Sequence, residues 1–78
     1  NTIINFWPNP TYDYVYFNTI NEVSQILIYN SLGIVVLKLN KFDVGLNRID
    51  LSFLSNGIYY MNLLYNDKIV TEKINVIR

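Results

Sequence analysis

The hydrophobic positions along this chain repeat every second residue, and no segment keeps the three-to-four-residue spacing of a helix. Tyr12 to Phe17 alternates, with Val15 and Phe17 on one side and Tyr12, Tyr14 and Tyr16 on the other. Val23 to Tyr29 and Ile34 to Leu39 are β-rich runs separated by Asn30-Ser31-Leu32-Gly33, a four-residue turn that predicts a hairpin. Ile3 to Trp7 is a short apolar run stopped by Pro8-Asn9-Pro10. Proline cannot donate to a ladder, so this run reads as an edge strand leaving into a rigid turn. Asn18 to Glu22 and Asn40 to Gly45 read as loops. Leu46 to Leu51, Ile58 to Tyr65 and Ile69 to Ile77 complete the strands, the last two joined by the tight-turn pair Asn66-Asp67. Tyr59, Met61, Leu63 and Tyr65 fall on one face. In the last strand Ile74 and Val76 pair as core, but that phase also carries Glu72, which suggests a bulge.

Ile49 to Tyr59 is the stretch around which the others are arranged. Ile49 and Leu51 close a strand; Ser52, Ser55 and Asn56 favour a turn by bonding their own backbone; Gly57 admits positive φ. Leu51 and Leu54 read as an apolar plug under a corner that carries the chain between sheets. Tyr59 then stands where the corner tyrosine of an immunoglobulin-like sandwich stands, its hydroxyl turned back on the corner. The predicted fold is an all-β, seven-stranded antiparallel immunoglobulin-like β-sandwich over residues 6–78, with residues 1–5 as linker or lead-in to the first strand.

Composition removes most chemistry. With 78 residues the chain is one domain or a fragment, and a domain this small buries only roughly 60% of its unfolded surface. It has no Cys and no His, so disulfides, thiolate metal sites, a Cys nucleophile and the commonest general base are all excluded. Its six basic and six acidic residues are scattered and cancel, giving nothing like the basic patch that nucleic acid requires. The longest apolar runs are far below a membrane span, and no signal peptide is recognisable, so export is expected only behind an upstream partner. Asp13, Glu22, Asp43, Asp50, Asp67 and Glu72 are isolated. Ser24, Ser31, Ser52 and Ser55 lack a His partner and a nucleophile elbow. The three glycines are too far apart to cradle a phosphate. The expectation is a non-enzyme without cofactor or metal.

One binding feature remains: Tyr12, Tyr14 and Tyr16 in a row near Trp7, a flat platform on which a sugar chain could stack. Against it, tyrosine suits a half-exposed strand and packs across strands without any ligand. The row supports the competing reading, a carbohydrate-binding or adhesive sandwich appended to a secreted enzyme.

The punctuating residues taken together point elsewhere. Pro8-Asn9-Pro10, Ile28-Tyr29-Asn30 with Gly33, Asp50-Leu51-Ser52 with Leu54, Gly57-Ile58-Tyr59 and Lys73-Ile74 follow in order over almost the entire chain, from about Phe6 to Arg78. In this the sequence resembles the C-terminal sorting domain, type A, of the type IX secretion system of certain Gram-negative bacteria. It departs from the pattern at Trp7, where Tyr is frequent, at Asn30, where Asp is usual, and in an ending with fewer basic residues. The resemblance implies a small immunoglobulin-like domain fused behind a cargo. It implies periplasmic transit, reading by translocon and shuttle proteins, removal by a sortase-like cysteine protease, and release or attachment of the cargo at the cell surface. Pro8, Asn9, Pro10, Gly33, Gly57, Tyr59 and Lys73 are the residues that carry its motifs. On this reading Ile58 to Arg78, apolar on both phases, is the surface a partner reads.

Overall fold

The computed structural model describes residues 5–78, so Ile3 and Ile4 of the expected first strand and most of the expected lead-in lie outside the described residues. Every element is a strand: β1 (Phe6–Trp7), β2 (Tyr14–Thr19), β3 (Val23–Tyr29), β4 (Val35–Phe42), β5 (Gly45–Asp50), β6 (Gly57–Tyr65) and β7 (Lys68–Val76). They form two antiparallel sheets, one of three strands in the order β1-β2-β5 and one of four in the order β4-β3-β6-β7.

The period-two pattern decides which faces meet. Val15, Phe17 and Ile49 of the smaller sheet share one apolar core with Val23, Ile26, Ile28, Met61, Leu63, Ile74 and Val76 of the larger. Tyr59, Met61, Leu63 and Tyr65 are all buried, as their spacing predicts. Phe17 packs on Phe6 at 5.0 Å and edge-on against Phe42 at 5.4 Å, so aromatic contacts join the two layers.

Strand limits differ from the periodicity in places where turn chemistry decides. The second strand begins at Tyr14, not Tyr12, because Thr11 is drawn away by backbone bonds to Asn75 and Ile77. It continues through Asn18 and Thr19, which pair with Leu46 and Gly45, so the polar loop before β3 is shorter than expected. β4 runs on to Phe42, and the expected Asn40–Gly45 loop shrinks to Asp43 and Val44, where Asn47 Nδ2 donates to the Asp43 carbonyl at 2.9 Å. The Asn30 turn is as expected: its side-chain oxygen accepts from the Leu32 and Ile34 amides, and Gly33 sits at φ +83°. Asn66 and Asp67 both adopt the left-handed region, matching the twist of the β6–β7 hairpin. No bulge occurs at Glu72: β6 and β7 pair without a break from Gly57↔Val76 to Tyr65↔Lys68. Glu72 keeps the inward phase at the middle of the hairpin, opposite Met61, where it is only half-buried. The irregularities fall on β3 instead, at both of its ends.

At the corner, β5 of one sheet gives way to β6 of the other. Leu51 and Leu54 fill its underside, and the Leu54 amide donates to the Leu51 carbonyl at 3.0 Å. The Tyr59 hydroxyl donates to the Ser55 carbonyl at 2.7 Å, so the ring is buried while its polar tip satisfies the turn. The corner's own side chains behave differently from expectation. Asp50, not a serine, accepts the Ser52 amide at 2.8 Å. Asn56 reaches the chain end, accepting from the Arg78 amide at 3.0 Å and donating to the Arg78 carbonyl at 3.3 Å. The Arg78 guanidinium donates to the carbonyls of Leu51, at 2.7 Å, and Leu54. These carbonyls belong to residues whose side chains face inward; the cation gives Leu54 a donor and adds a second one at Leu51, which already accepts the Leu54 amide.

Tyr59→Ala removes a buried ring and is expected to cost about 3–5 kcal/mol, and Tyr59→Phe, which removes only the hydroxyl bond, about 1 kcal/mol. Gly57, at φ +157°, holds a conformation that side chains rarely adopt, so Gly57→Val lowers stability as well. Chemical denaturation of the three variants tests this; midpoints equal to the parent's would contradict the role of the corner. Arg78→Met keeps the apolar stem and deletes the donors; its melting temperature should fall below the parent's. An unchanged melt would show the clamp to be idle. The Ser52 hydroxyl, then its amide, hold the Asp50 carboxyl below its ordinary value, with Arg48 and Arg78 adding to the effect. A lowered folded value stabilises above the unfolded value and is lost as pH falls through the folded one. Part of the parent's acid destabilisation should therefore be absent in Asp50→Asn, as read from melts across pH 2–6.

Candidate functional site

The last hairpin, β6 and β7, presents two unlike faces. Its inner face is core. Its outer face carries Ile58, Tyr60 and Leu64 from β6, each about 40% exposed, and Ile69 from β7 at 69%. Across the sheet Tyr60 lies between Tyr29 and Lys73, and Leu64 between Gln25 and Ile69. Near the middle, Thr71 Oγ1 donates to Asn62 Oδ1 at 2.9 Å, which ties the two strands on the solvent side. Lys73 is exposed on this face, beside the Tyr60 ring position in the ladder.

β7 ends the four-stranded sheet, so one row of its backbone groups points away from β6. The Pro8-Asn9-Pro10 segment crosses that row. Thr11 donates its amide to the Asn75 carbonyl at 2.8 Å and accepts the Ile77 amide at 3.0 Å, a parallel bridge opposite Val76. One step earlier, the Asn9 side chain continues the same pattern. Its Nδ2 donates to the Lys73 carbonyl at 2.8 Å, and its Oδ1 accepts the Asn75 amide at 3.1 Å. In a regular parallel strand those two bonds would come from the backbone of residue 9. The carboxamide has the same donor and acceptor as a peptide unit, so it replaces one. Pro8 and Pro10 on either side have no amide hydrogen, which leaves the segment a poor template for a further strand. Both prolines follow cis peptide bonds.

The structure thus brings Asn9 and Lys73 together, through the lysine's backbone, and places Gly57 and Tyr59 together at the corner, where a Cβ added to Gly57 would meet the Tyr59 ring edge at 3.8 Å. Gly33 stands apart in its own turn, between β3 and β4. Two contributions were not legible beforehand. Asn9 reads as a turn residue, and only its place between two prolines hints at more. Arg78 carries no local signal at all, since its partners lie more than 20 residues away.

The tyrosine row does not form as expected. Tyr12 precedes β2 and is 66% exposed, so only Tyr14 and Tyr16 share the outer face of the smaller sheet. Tyr16 stacks with Trp7 across β1 and β2 at 6.2 Å, with the ring planes 26° apart. The Arg48 guanidinium carbon lies 4.6 Å from the centre of the Tyr14 ring. Each ring therefore has a cross-strand neighbour over it, the arrangement that stabilises an exposed sheet face.

Among the described residues no three His, Cys, Asp or Glu side chains gather into a metal-binding group, and no helix is long and apolar enough to cross a membrane. Comparison with curated proteins finds no match. Comparison with known families matches residues 5–77 to the secretion system C-terminal sorting domain. The match spans both sheets, the Asn9 segment, the corner and the terminal hairpin, nearly the whole chain. This chain belongs to that family, the C-terminal sorting domains of type IX secretion.

Proposed function

We propose that the chain is a non-catalytic export address, an immunoglobulin-like sandwich spanning residues 6–78 and fused behind a cargo. The strand order supports the immunoglobulin reading: three strands face four, and a corner tyrosine early in β6 bonds back a few residues upstream. The address directs its cargo from the periplasm through the outer-membrane translocon, to the surface or the medium. Translocon and shuttle proteins bind it, and a sortase-like cysteine protease separates it from the cargo near the front of the domain. Pro8, Asn9, Pro10, Gly33, Gly57 and Tyr59 act by holding the fold, and the exposed Lys73 guards the edge strand β7.

The observation that carries this reading is the outer face of the terminal hairpin. A hairpin in a two-layer domain needs one apolar phase; β6 has two, and the second leaves Ile58, Tyr60 and Leu64 partly in water beside Ile69. Apolar surface kept on a small, marginally stable domain is expected where a protein partner covers it. The carbohydrate-binding alternative draws no comparable support, because the rings of Tyr14 and Tyr16 are already packed by Arg48 and Trp7.

Removing Lys73 to Arg78 from a cargo fusion is expected to trap the cargo in the periplasm. That deletion also takes Ile74 and Val76 from the core and Arg78 from the corner. A sharper variant is Ile58→Ser with Tyr60→Thr and Leu64→Thr, which changes the outer face and leaves every core residue. The fusion should stay folded by circular dichroism yet accumulate in the periplasm. Export of the deleted fusion at the parent's level would refute the address; export of the folded triple variant would refute the outer face as its reading surface.

A further inference from the structure

The segment Pro8–Thr11 covers only part of the β7 edge. The backbone groups of β7 that point away from β6 belong to alternate residues, Ile69, Thr71, Lys73, Asn75 and, just beyond the strand, Ile77. Asn9 and Thr11 occupy the Lys73 carbonyl, both groups of Asn75 and the Ile77 amide. Ile69 and Thr71 have no backbone partner on that side among the described residues. The closed part and the open part are one continuous strand edge.

We propose that Pro8–Thr11 is a latch that opens separately from the core, and that its opening converts the outer edge of β7 into a continuous site for an extended polypeptide segment. For its consequence in export this rests on the reading of the terminal hairpin given above. Four hydrogen bonds hold the latch over β7, two of them from the Asn9 carboxamide, whose atoms lie at the solvent-exposed surface. Pro8, Asn9 and Pro10 are themselves exposed, so little apolar burial opposes their release; Thr11, which is buried, is the hinge side of the latch. The core-facing partners of β7, by contrast, pair with β6 along its whole length and are buried at Ile74 and Val76. The occupant expected on the open edge is an extended backbone, because the latch occupies it as one: Thr11 by its peptide groups, Asn9 by a side chain of the same chemistry. The two prolines give the latch its asymmetry. They let it satisfy β7 on one side while offering no amide on the other. In a cargo fusion the latch lies at the front of the domain, so a partner that displaces the front segment also uncovers the last strand, more than 60 residues on.

Amide hydrogen exchange on the 78-residue chain tests this without reference to secretion. In the parent, the Asn75 and Ile77 amides should exchange through a local opening that depends little on denaturant, while the Leu63 amide in β6 exchanges only with global unfolding. In Asn9→Ala the Asn75 amide should exchange about tenfold faster, with Leu63 following only any change in global stability. If Asn75 and Ile77 in the parent exchange only with global unfolding, the latch does not open on its own and the proposal fails, whatever the variant does. It fails equally if Asn75 is as protected in a folded Asn9→Ala chain as in the parent. Neither result bears on whether the triple outer-face variant is exported, so the latch and the address stand or fall separately.

Discussion

An edge strand carries backbone groups that nothing in its own sheet can satisfy, and the last strand, β7, is one of the two edges of the four-stranded sheet. β7 is completed by groups far from it in sequence. Asn9 and Thr11 close part of its outer edge, and Asn56 pairs with both backbone groups of Arg78 just beyond it. Arg78 returns the contact by donating to the Leu51 and Leu54 carbonyls under the corner. Front, corner and end are thereby fastened to one another. A small sandwich without disulfides has limited core to draw on, and closing the last strand in this way ties it to both sheets through polar contacts.

The corner and the Pro8–Thr11 segment solve one problem with different chemistry. Where a chain passes between layers, some carbonyls have no ladder amide to donate to them. At the corner a phenol and a guanidinium supply the donors; at the edge a carboxamide supplies donor and acceptor together. Each is a side chain used where the backbone cannot reach, and each fixes its turn to a strand. The family to which the chain belongs uses the domain as a sorting signal, and a signal must survive folded until it is read. A terminal hairpin whose edge is partly closed by Asn9 and Thr11, and whose outer face carries Ile58, Tyr60, Leu64 and Ile69, is compatible with both demands.

Much of this was legible in the sequence. Alternation placed six of the strands nearly where they lie, and Tyr59 with Gly57 marked the corner, because period-two burial and turn chemistry are local properties. Val23 to Tyr29 was delimited to the residue, since Asn30 and Gly33 stop it with side-chain and backbone chemistry of their own. The errors came where distant partners intervene. Tyr12 alternates with Tyr14 and Tyr16 but leaves the strand because Thr11 is held by β7. Glu72 suggested a bulge, yet the ladder runs unbroken through it, and a half-covered position on an edge strand tolerates a carboxylate in phase with the core. Asn9 and Arg78 are invisible to any local rule, as their partners are set by which strand becomes the edge.

The most direct test of this account is whether the Asn9 side chain really stands in for a peptide unit. Nuclear Overhauser contacts and exchange of its carboxamide protons in the folded 78-residue chain measure that. The account predicts a slowly exchanging Nδ2 proton pair close in space to the Asn75 amide. A carboxamide exchanging as fast as that of an exposed asparagine, with no contact to β7, would contradict it.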